Sequence, residues 1–261
     1  MNDLISENIK DNILRITLNN PSAQNTLSLE MIRQLTTVFT NANTNSNIKV
    51  IILASSGNVF CAGHNLKEIN NHRSDSDNGL AFFTNLINNC SELMLKILYN
   101  SKPVIAEVNG FATAAGCQLV SSCDLAYASS ISQFATPGVN IGLFCSTPMV
   151  ALSRVVKSKH SMEMLLTGDF IDADKAKNIG LINNYFSEGS LVNETKEIAL
   201  KIANKSFQTV KIGKKAFYNQ AEMKTVDAYK YASEIMIENM MNQDSKEGIS
   251  AFLEKRDPNW S

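Results

Sequence analysis

The feature that most constrains this chain is a run of small residues that directly follows an apolar segment. Residues 104–108 (VIAEV) predict a buried strand, residues 109–116 (NGFATAAG) are mostly small, and residues 117–123 predict a short helix. A strand that gives way to a helix leaves the first N–H groups of the helix without acceptors, and the helix dipole adds positive potential there. Because small side chains let a ligand approach the backbone, this segment predicts a site for negative charge.

A second segment, further upstream, has the same organisation. Residues 50–54 (VIILA) predict another buried strand, and the loop of residues 60–68 (FCAGHNLKE) follows it. Two strand ends that both offer free N–H groups can hold one oxygen atom between them. This arrangement is an oxyanion hole, which stabilises charge that develops on a carbonyl oxygen.

Charge and cysteine content limit the classes of partner. The formal net charge is −1 and the isoelectric point is about 6.3, so we expect no nucleic-acid partner. No apolar run approaches the roughly 20 residues of a membrane span, and we expect no membrane partner. The first residues lack the features of a signal peptide, and five cysteines without a C-x-x-C pair indicate reduced thiols. We therefore expect a cytoplasmic protein.

Hydrophobic periodicity predicts alternating strands and helices, followed by helices alone. The expected strands cover residues 13–18, 50–54, 104–108, 125–128, 133–136 and 181–186. The expected helices cover residues 28–42 (with Ser28 as N-cap), 82–98, 117–123, 148–156, 162–166, 172–178, 191–203, 207–220, 226–241 and 246–254. The polar residues 70–78 are expected to form a mobile loop. This order of elements predicts an α/β fold with a parallel-sheet core and a helical C-terminal region.

Several segments together resemble the crotonase (enoyl-CoA hydratase/isomerase) superfamily, and the likeness extends from Ile5 to Asp257. Residues 138–148 are most similar to the subgroup of enoyl-CoA hydratase domain-containing proteins. The segments that carry the resemblance are residues 19–25, 60–68, 102–124, 134–137, 162–168, 173–181 and 246–256.

The resemblance implies a crotonase-like superhelix of ββα units that assembles as a homotrimer or a dimer of trimers. On this basis we expect residues 1–200 to form the spiral core. Residues 201–261 are expected to form a C-terminal helical region for trimerisation and closure of the coenzyme A (CoA) site. The implied partner is an acyl-CoA thioester. We expect no metal and no separate cofactor, since CoA enters as part of the substrate.

The resemblance also implies roles for individual residues. The oxyanion-hole donors correspond to the backbone N–H groups of His64 and Ala115. Contacts to the CoA phosphates correspond to Lys67 and, from a neighbouring subunit, to Lys255. The full set of expected substrate-binding residues is Ala62, His64, Asn65, Leu66, Lys67, Ala115 and Lys255.

This chain departs from the family where hydratases carry two glutamates as general acid and base. The corresponding positions are Gln118 and Gly138. An amide has no usable basicity near neutral pH and glycine has no side chain, whereas each general acid or base contributes roughly 10²–10⁴-fold. The chain therefore resembles an acyl-CoA enzyme that polarises a thioester but is poorly equipped for hydration.

Other assignments remain open at this point. The chain could be a non-catalytic acyl-CoA binder, or a thioester hydrolase that uses Cys145 or Ser146 as its nucleophile. Glu107, His64 or Asn140 could substitute for the missing glutamates, although we favour a place at the subunit interface for Glu107. The lysines of the 207–220 helix are expected to form a solvated stripe, and the Met-rich residues 236–241 to lie in the core or at a subunit contact. These lysines are Lys211, Lys214 and Lys215.

Overall fold

The computed structural model describes residues 4–261, which form two sheets and eleven α-helices. The strands are β1 (Ile5–Lys10), β2 (Ile13–Leu18), β3 (Val50–Ser55), β4 (Val59–Cys61), β5 (Val104–Val108), β6 (Phe111–Thr113), β7 (Leu125–Ser129), β8 (Gln133–Ala135), β9 (Ile171–Asp172) and β10 (Asn184–Phe186). The helices are α1 (Leu29–Thr44), α2 (Leu66–Asn71), α3 (Leu80–Leu98), α4 (Ala115–Ser122), α5 (Pro148–Val155), α6 (Ser158–Thr167), α7 (Ala173–Asn178), α8 (Leu191–Ala203), α9 (Phe207–Ala221), α10 (Thr225–Met241) and α11 (Gln243–Glu254).

The larger sheet confirms the predicted parallel core. Its strand order is β1-β2-β3-β5-β7-β10, and every pair except β1 with β2 is parallel. Strands β3 and β5 are apolar almost throughout because both sheet faces are covered. Helices α1, α3 and α4 pack on one face, and α8 covers the other.

The smaller sheet extends the main strands one by one. Its order is β4-β6-β8-β9, so that β3 continues into β4, β5 into β6 and β7 into β8. Each of these strand pairs is followed by a helix, namely α2, α4 and α5, with a short 3₁₀ turn before the last. The repetition of a two-strand unit and its helix brings the loop before α2 into contact with the turn before α4.

The structure differs from the sequence prediction mainly in short elements. Strand β1 was not predicted, since only its first residue is buried and no alternation marks it. Helix α4 begins at Ala115 instead of residue 117, which extends it into the run of small residues. Most of the polar segment 70–78 is ordered as the end of α2 and a 3₁₀ turn, where the His72 ring stacks on Phe82 at 3.7 Å between centroids.

The last three helices expose much apolar surface. No residue of α9 or α10 is fully buried. Met236, Met240 and Met241 are all more than half exposed, which excludes a place in the core of this chain. Phe252 and Leu253 on α11 are 82% and 75% exposed. Within residues 4–261, no helix has both the length and the apolar character needed to cross a membrane.

Candidate oxyanion site

Two backbone N–H groups lie unpaired where α2 and α4 begin. Within residues 4–261, neither the His64 N–H nor the Ala115 N–H has a hydrogen-bond acceptor. The two loops are in contact, because an ideal Cβ atom placed on Gly63 would lie 3.3 Å from the Ala115 nitrogen and 3.1 Å from the Thr113 oxygen. The structure therefore brings together the two predicted donor positions, and both donors are free to bind a ligand oxygen.

The turn before α4 has a strained backbone conformation. Ala114 has φ 51° and ψ −117°, which is rare for a residue with a Cβ atom. Its N–H donates to the Ala135 carbonyl at 2.9 Å, and its carbonyl accepts from the Gln118 N–H at 3.1 Å. These contacts fix the turn from both sides and point the chain into α4 with the Ala115 N–H unpaired.

Close backbone packing requires glycine at the next position. A Cβ atom on Gly116 would lie only 2.1 Å from the Cys61 carbonyl oxygen. The absence of a side chain lets the first turn of α4 lie directly against β4. This packing explains why the small-residue run is needed to bring the two loops together.

The expected CoA loop forms the start of α2. Asn65 is the N-cap of this helix, and its side chain accepts hydrogen bonds from the N–H groups of Lys67 and Glu68. The Ala62 N–H donates to the Gln24 carbonyl, which ties the loop to the segment before α1. Leu66 is 52% exposed, and Lys67 is exposed without an ion pair in the described part of the chain. Asn65 therefore has a structural role, whereas Leu66 and Lys67 are accessible.

The His64 ring anchors the loop that carries the His64 N–H. Its Nδ1 atom lies 3.2 Å from the Leu27 carbonyl oxygen, so Nδ1 carries the proton and Nε2 is an acceptor in the neutral ring. Burial lowers the pKa of His64, and the hydrogen bond to Leu27 offsets this only in part. The ring is therefore neutral near pH 7. Its buried Nε2 atom has no hydrogen-bond partner within residues 4–261, so a role for His64 as a general base stays a prediction.

Two buried oxygen atoms near the turn have no partner. Gln118 is 4% exposed and its Oε1 atom accepts no hydrogen bond, and the same holds for Oγ1 of Thr136, which is fully buried. Thr136 directly follows Ala135, the residue that holds Ala114. Buried polar atoms rarely stay unpaired in native structures unless they bind water or a ligand. Sequence reasoning missed Thr136, since nothing in its local pattern marks it.

Backbone fills the space beside Gly138, the position expected to correspond to the second hydratase glutamate. An ideal Cβ atom on Gly138 would lie 2.5 Å from the Leu143 carbonyl oxygen and 2.9 Å from Sγ of Cys145. Gly138 lies in a 3₁₀ turn, Pro137–Ile141, and the Leu143 N–H donates to its carbonyl at 2.9 Å. The turn thus occupies the space that a glutamate side chain would need. Asn140 is exposed, with its amide beside Gly168.

The structure gives no support to a cysteine or serine nucleophile. Burial raises the pKa of the Cys145 thiol, and the Ser146 hydroxyl donates to the Phe144 carbonyl. Among residues 4–261, no histidine forms a hydrogen bond with either side chain. An activated nucleophile needs an adjacent base or a lowered pKa, and neither is present.

Glu107 does not replace the missing acids. Its carboxylate forms a two-pronged ion pair with Arg15, one contact being 3.0 Å from Nη1 to Oε2. Glu107 and Ile105 are on the same side of β5, and Ile105 belongs to the apolar cluster under α8. The carboxylate therefore lies on the sheet face opposite α4, and the suggestion that it acts as the acid is wrong. A place for it at a subunit interface stays a prediction.

Lys255 ends the last helix. It is exposed and has the left-handed conformation that closes α11, with φ 56°. It follows closely after Phe252 and Leu253, the exposed apolar residues near the end of this helix.

Comparison with known proteins identifies the family. The enoyl-CoA hydratase/isomerase model matches residues 8–261. A Xenopus laevis relative, "Enoyl-CoA hydratase domain-containing protein 3, mitochondrial", is 48% identical over 95% of this chain and 83% of its own length. The Short-chain-enoyl-CoA hydratase of Clostridium acetobutylicum is 31% identical over 98% of this chain and 96% of its own length. The chain belongs to the enoyl-CoA hydratase/isomerase family.

A solved structure confirms the expected fold. The crystal structure of human enoyl Coenzyme A hydratase domain-containing protein 3 matches with a TM-score of 0.94 at 44% identity, covering 99% of this chain and 100% of that chain. The predicted superhelix of ββα units with a helical C-terminal region is therefore correct. The predicted subgroup is also confirmed.

The expected cytoplasmic location is wrong. Relatives from Xenopus laevis, Rattus norvegicus and Homo sapiens are all named as mitochondrial proteins, which points to the mitochondrion instead of the cytoplasm. The five cysteines are free and buried, as expected. Free thiols indicate a reducing environment, but they do not specify which reducing compartment contains the protein.

Proposed function

We propose that this protein binds acyl-CoA thioesters and polarises the thioester carbonyl with the backbone N–H groups of His64 and Ala115. The observation that carries the proposal is that two loops in contact each have a backbone N–H donor without an acceptor. The names of the family and of the relatives concern enoyl-CoA chemistry, which supports the choice of substrate. Metal and separate cofactors are not part of the proposal.

The proposed chemistry is stabilisation of negative charge on the thioester oxygen. Donors aimed at the place where charge develops are typically worth about 10²–10³-fold each in kcat. The two donors would stabilise an enolate and a tetrahedral oxyanion equally well. They therefore indicate an intermediate with a negatively charged oxygen, but they do not distinguish between the reactions that pass through one.

Hydration of enoyl-CoA is not the proposed reaction. Adding water across the double bond requires a base that takes a proton from the water attacking Cβ and an acid that gives a proton to Cα, and each missing group costs roughly 10²–10⁴-fold. The Gln118 amide can hold a water molecule or a hydroxyl group but cannot accept a proton. The Leu143 carbonyl lies where the second side chain would begin. This pair of features also favours a second candidate function, the non-catalytic binding of acyl-CoA.

The CoA moiety is proposed to lie along the start of α2. Lys67 is exposed there without an ion pair in residues 4–261 and can bind a phosphate group. Lys255 of a neighbouring subunit would supply a second cation. The exposed Phe252, Leu253 and methionines of α10 form an apolar surface that assembly would cover. We therefore propose a trimer or a dimer of trimers, and light scattering that gave a monomer of 28.7 kDa would contradict it.

Calorimetry with acetyl-CoA and with free CoA tests the proposal. Two hydrogen bonds to the thioester oxygen should make acetyl-CoA bind about tenfold or more tightly than CoA, since each contributes roughly 0.5–1.5 kcal/mol. Equal affinities would contradict a formed oxyanion site. A panel of acyl-CoA esters tested for turnover then separates an enzyme from a binding protein.

A proline variant tests one donor directly. Ala115→Pro removes the Ala115 N–H, and proline is favoured at the first position of a helix. It should lower the preference for acetyl-CoA without changing the affinity for CoA. Ser158→Pro makes the same change at the first residue of α6 and is the control. Thermal denaturation must first show that both variants fold.

A further inference from the structure

A buried ionic cluster connects the C-terminal helices to the end of α4. We call Asp124, Lys214 and Tyr218 the Asp124 cluster. The Lys214 Nζ lies 2.6 Å from Oδ2 of Asp124, and the Tyr218 hydroxyl donates to Oδ1 at 2.9 Å. The side chain of Lys214 is 8% exposed, so its expected place in a solvated stripe is wrong. Its partner lies 90 residues away in sequence and could not be found from the helix pattern.

Asp124 closes the chain segment that carries the oxyanion turn. The Val104 N–H donates to Oδ2 of Asp124 at 2.7 Å, and the Asp124 N–H donates to the Val104 carbonyl at 2.9 Å. Residues 104–124 are thereby joined at their two ends. Between these ends the chain passes through β5, β6, the Ala114 turn and α4.

Lys214 holds both ends of this segment together. Besides its contact with Asp124, the Lys214 ammonium donates to the Lys102 carbonyl at 3.0 Å, just before β5. Burial lowers the pKa of Lys214, and the negative charge of Asp124 opposes this effect. Burial and Asp124 also raise the pKa of Tyr218. Lys214 and Asp124 depend on each other, since removing either one would leave the charge of the other unpaired.

The cluster is also an anchor for the C-terminal region. No residue of α9 is fully buried, so polar contacts contribute to holding this helix in place. Two of its partly buried polar side chains, Lys214 and Tyr218, both bind Asp124. A second contact is the Lys102 ammonium over the Phe207 ring, at 4.1 Å from its centroid.

We propose that Lys214 and Tyr218 are positioning residues for the oxyanion site. By holding Asp124 they fix the C-terminal end of α4 against the start of β5. Because α4 has only eight residues, its N-terminal end moves with its C-terminal end. Docking of the C-terminal helices and the position of the Ala115 N–H are thus coupled. The importance of this coupling for ligand binding rests on the proposed function.

Hydrogen exchange of the intact protein tests the coupling independently of any activity. Lys214→Met should increase amide exchange about tenfold or more in residues 104–124 as well as in 207–221, because a hydrogen-bonded charge is lost. Tyr218→Phe removes one hydroxyl group and should give a smaller increase in the same two regions. Lys214→Arg keeps the cation and should restore most of the protection. The control Lys215→Met changes an exposed lysine of the same helix and should change neither region.

The pattern of exchange decides the outcome. Faster exchange in residues 207–221 with no change in 104–124 would overturn the proposal, because the cluster would then be a local anchor. No change in either region would also overturn it.

Ligand affinity adds the functional readout. In Lys214→Met the ratio of acetyl-CoA to CoA affinity should fall about fivefold or more, whereas CoA affinity should stay within twofold. A ratio equal to that of the wild type, with faster exchange in residues 207–221, would indicate a purely structural role. If the wild type itself shows no preference for the ester, the proposed function fails, and the exchange data still decide the coupling.

Discussion

Replacing Gln118 with glutamate tests the environment at the position expected to correspond to the first hydratase glutamate. The two side chains are nearly equal in size, so the substitution adds a titratable group without changing the side-chain volume. Gln118 is 4% exposed, its Oε1 atom has no donor, and no lysine or arginine within residues 4–261 forms a hydrogen bond with the amide. Burial without a cation disfavours the ionised carboxylate, so the pKa of the introduced group should be raised.

The cost follows from the size of that shift. A shift of one pKa unit corresponds to about 1.36 kcal/mol, so a rise of roughly 1–3 units would destabilise the variant by about 1.4–4 kcal/mol at pH 7. The folded state would keep a proton that the unfolded chain has lost. The free energy of unfolding, relative to wild type, should therefore fall as pH rises from about 4.3 through the folded pKa, and then level off.

Urea denaturation of Gln118→Glu and wild type from pH 5 to 8 measures this difference. Gln208→Glu, at an exposed position on α9, is the control and should show no trend. A difference in unfolding free energy that does not change with pH would refute the reasoning, since it would place residue 118 in a solvated site. Crotonyl-CoA hydration by this variant should rise by no more than the roughly 10²–10⁴-fold of one group. Adding Gly138→Glu should not extend the gain, because the side chain would collide with the Leu143 carbonyl.

Three further changes test the packing around the site. Gly116→Ala places Cβ 2.1 Å from the Cys61 oxygen and should lower the free energy of unfolding, measured with urea, by about 3 kcal/mol or more. An unchanged denaturation midpoint would show that the loops can separate. Ala114→Gly should stabilise the fold by up to about 2 kcal/mol, since relief of roughly 1–3 kcal/mol of strain exceeds the entropy cost of glycine; a loss of stability would argue against strain at this turn. Glu107→Gln leaves Arg15 without its anion and should cost about 1–3 kcal/mol in thermal or urea unfolding, with the preference for acetyl-CoA unchanged. A lost preference would place Glu107 in the site after all.

The regular elements could be predicted because their burial follows periodic patterns. Helix α1 begins after the predicted N-cap, where the Ser28 hydroxyl accepts from the Met31 N–H, and β3 and β5 have the continuous apolar sequence of doubly covered strands. Strand β1 has no such pattern, since it is an exposed edge. The short strands β4 and β6 are fixed by pairing with each other, which local sequence does not encode.

The candidate site could be predicted only where backbone was involved. Small residues after two apolar strands predicted two loops with free N–H groups, and the family resemblance assigned the donors to His64 and Ala115. Long-range contacts were not accessible in this way. The ion pair of Glu107 with Arg15 joins residues 92 positions apart, and the carbonyl of Leu143 beside Gly138 depends on the shape of a turn. For this reason the resemblance predicted that the two hydratase glutamates are replaced, but not what fills the space at Gly138.

Isotope-edited infrared spectroscopy of acetyl-CoA labelled with ¹³C at the thioester carbonyl tests the central claim most directly. Hydrogen bonds from His64 and Ala115 would weaken the carbonyl bond, so its stretching band should move to lower wavenumber when the ester binds. The shift should be smaller in Ala115→Pro and unchanged in Ser158→Pro. A bound ester whose carbonyl band stays at the position seen in water would contradict the proposed oxyanion site.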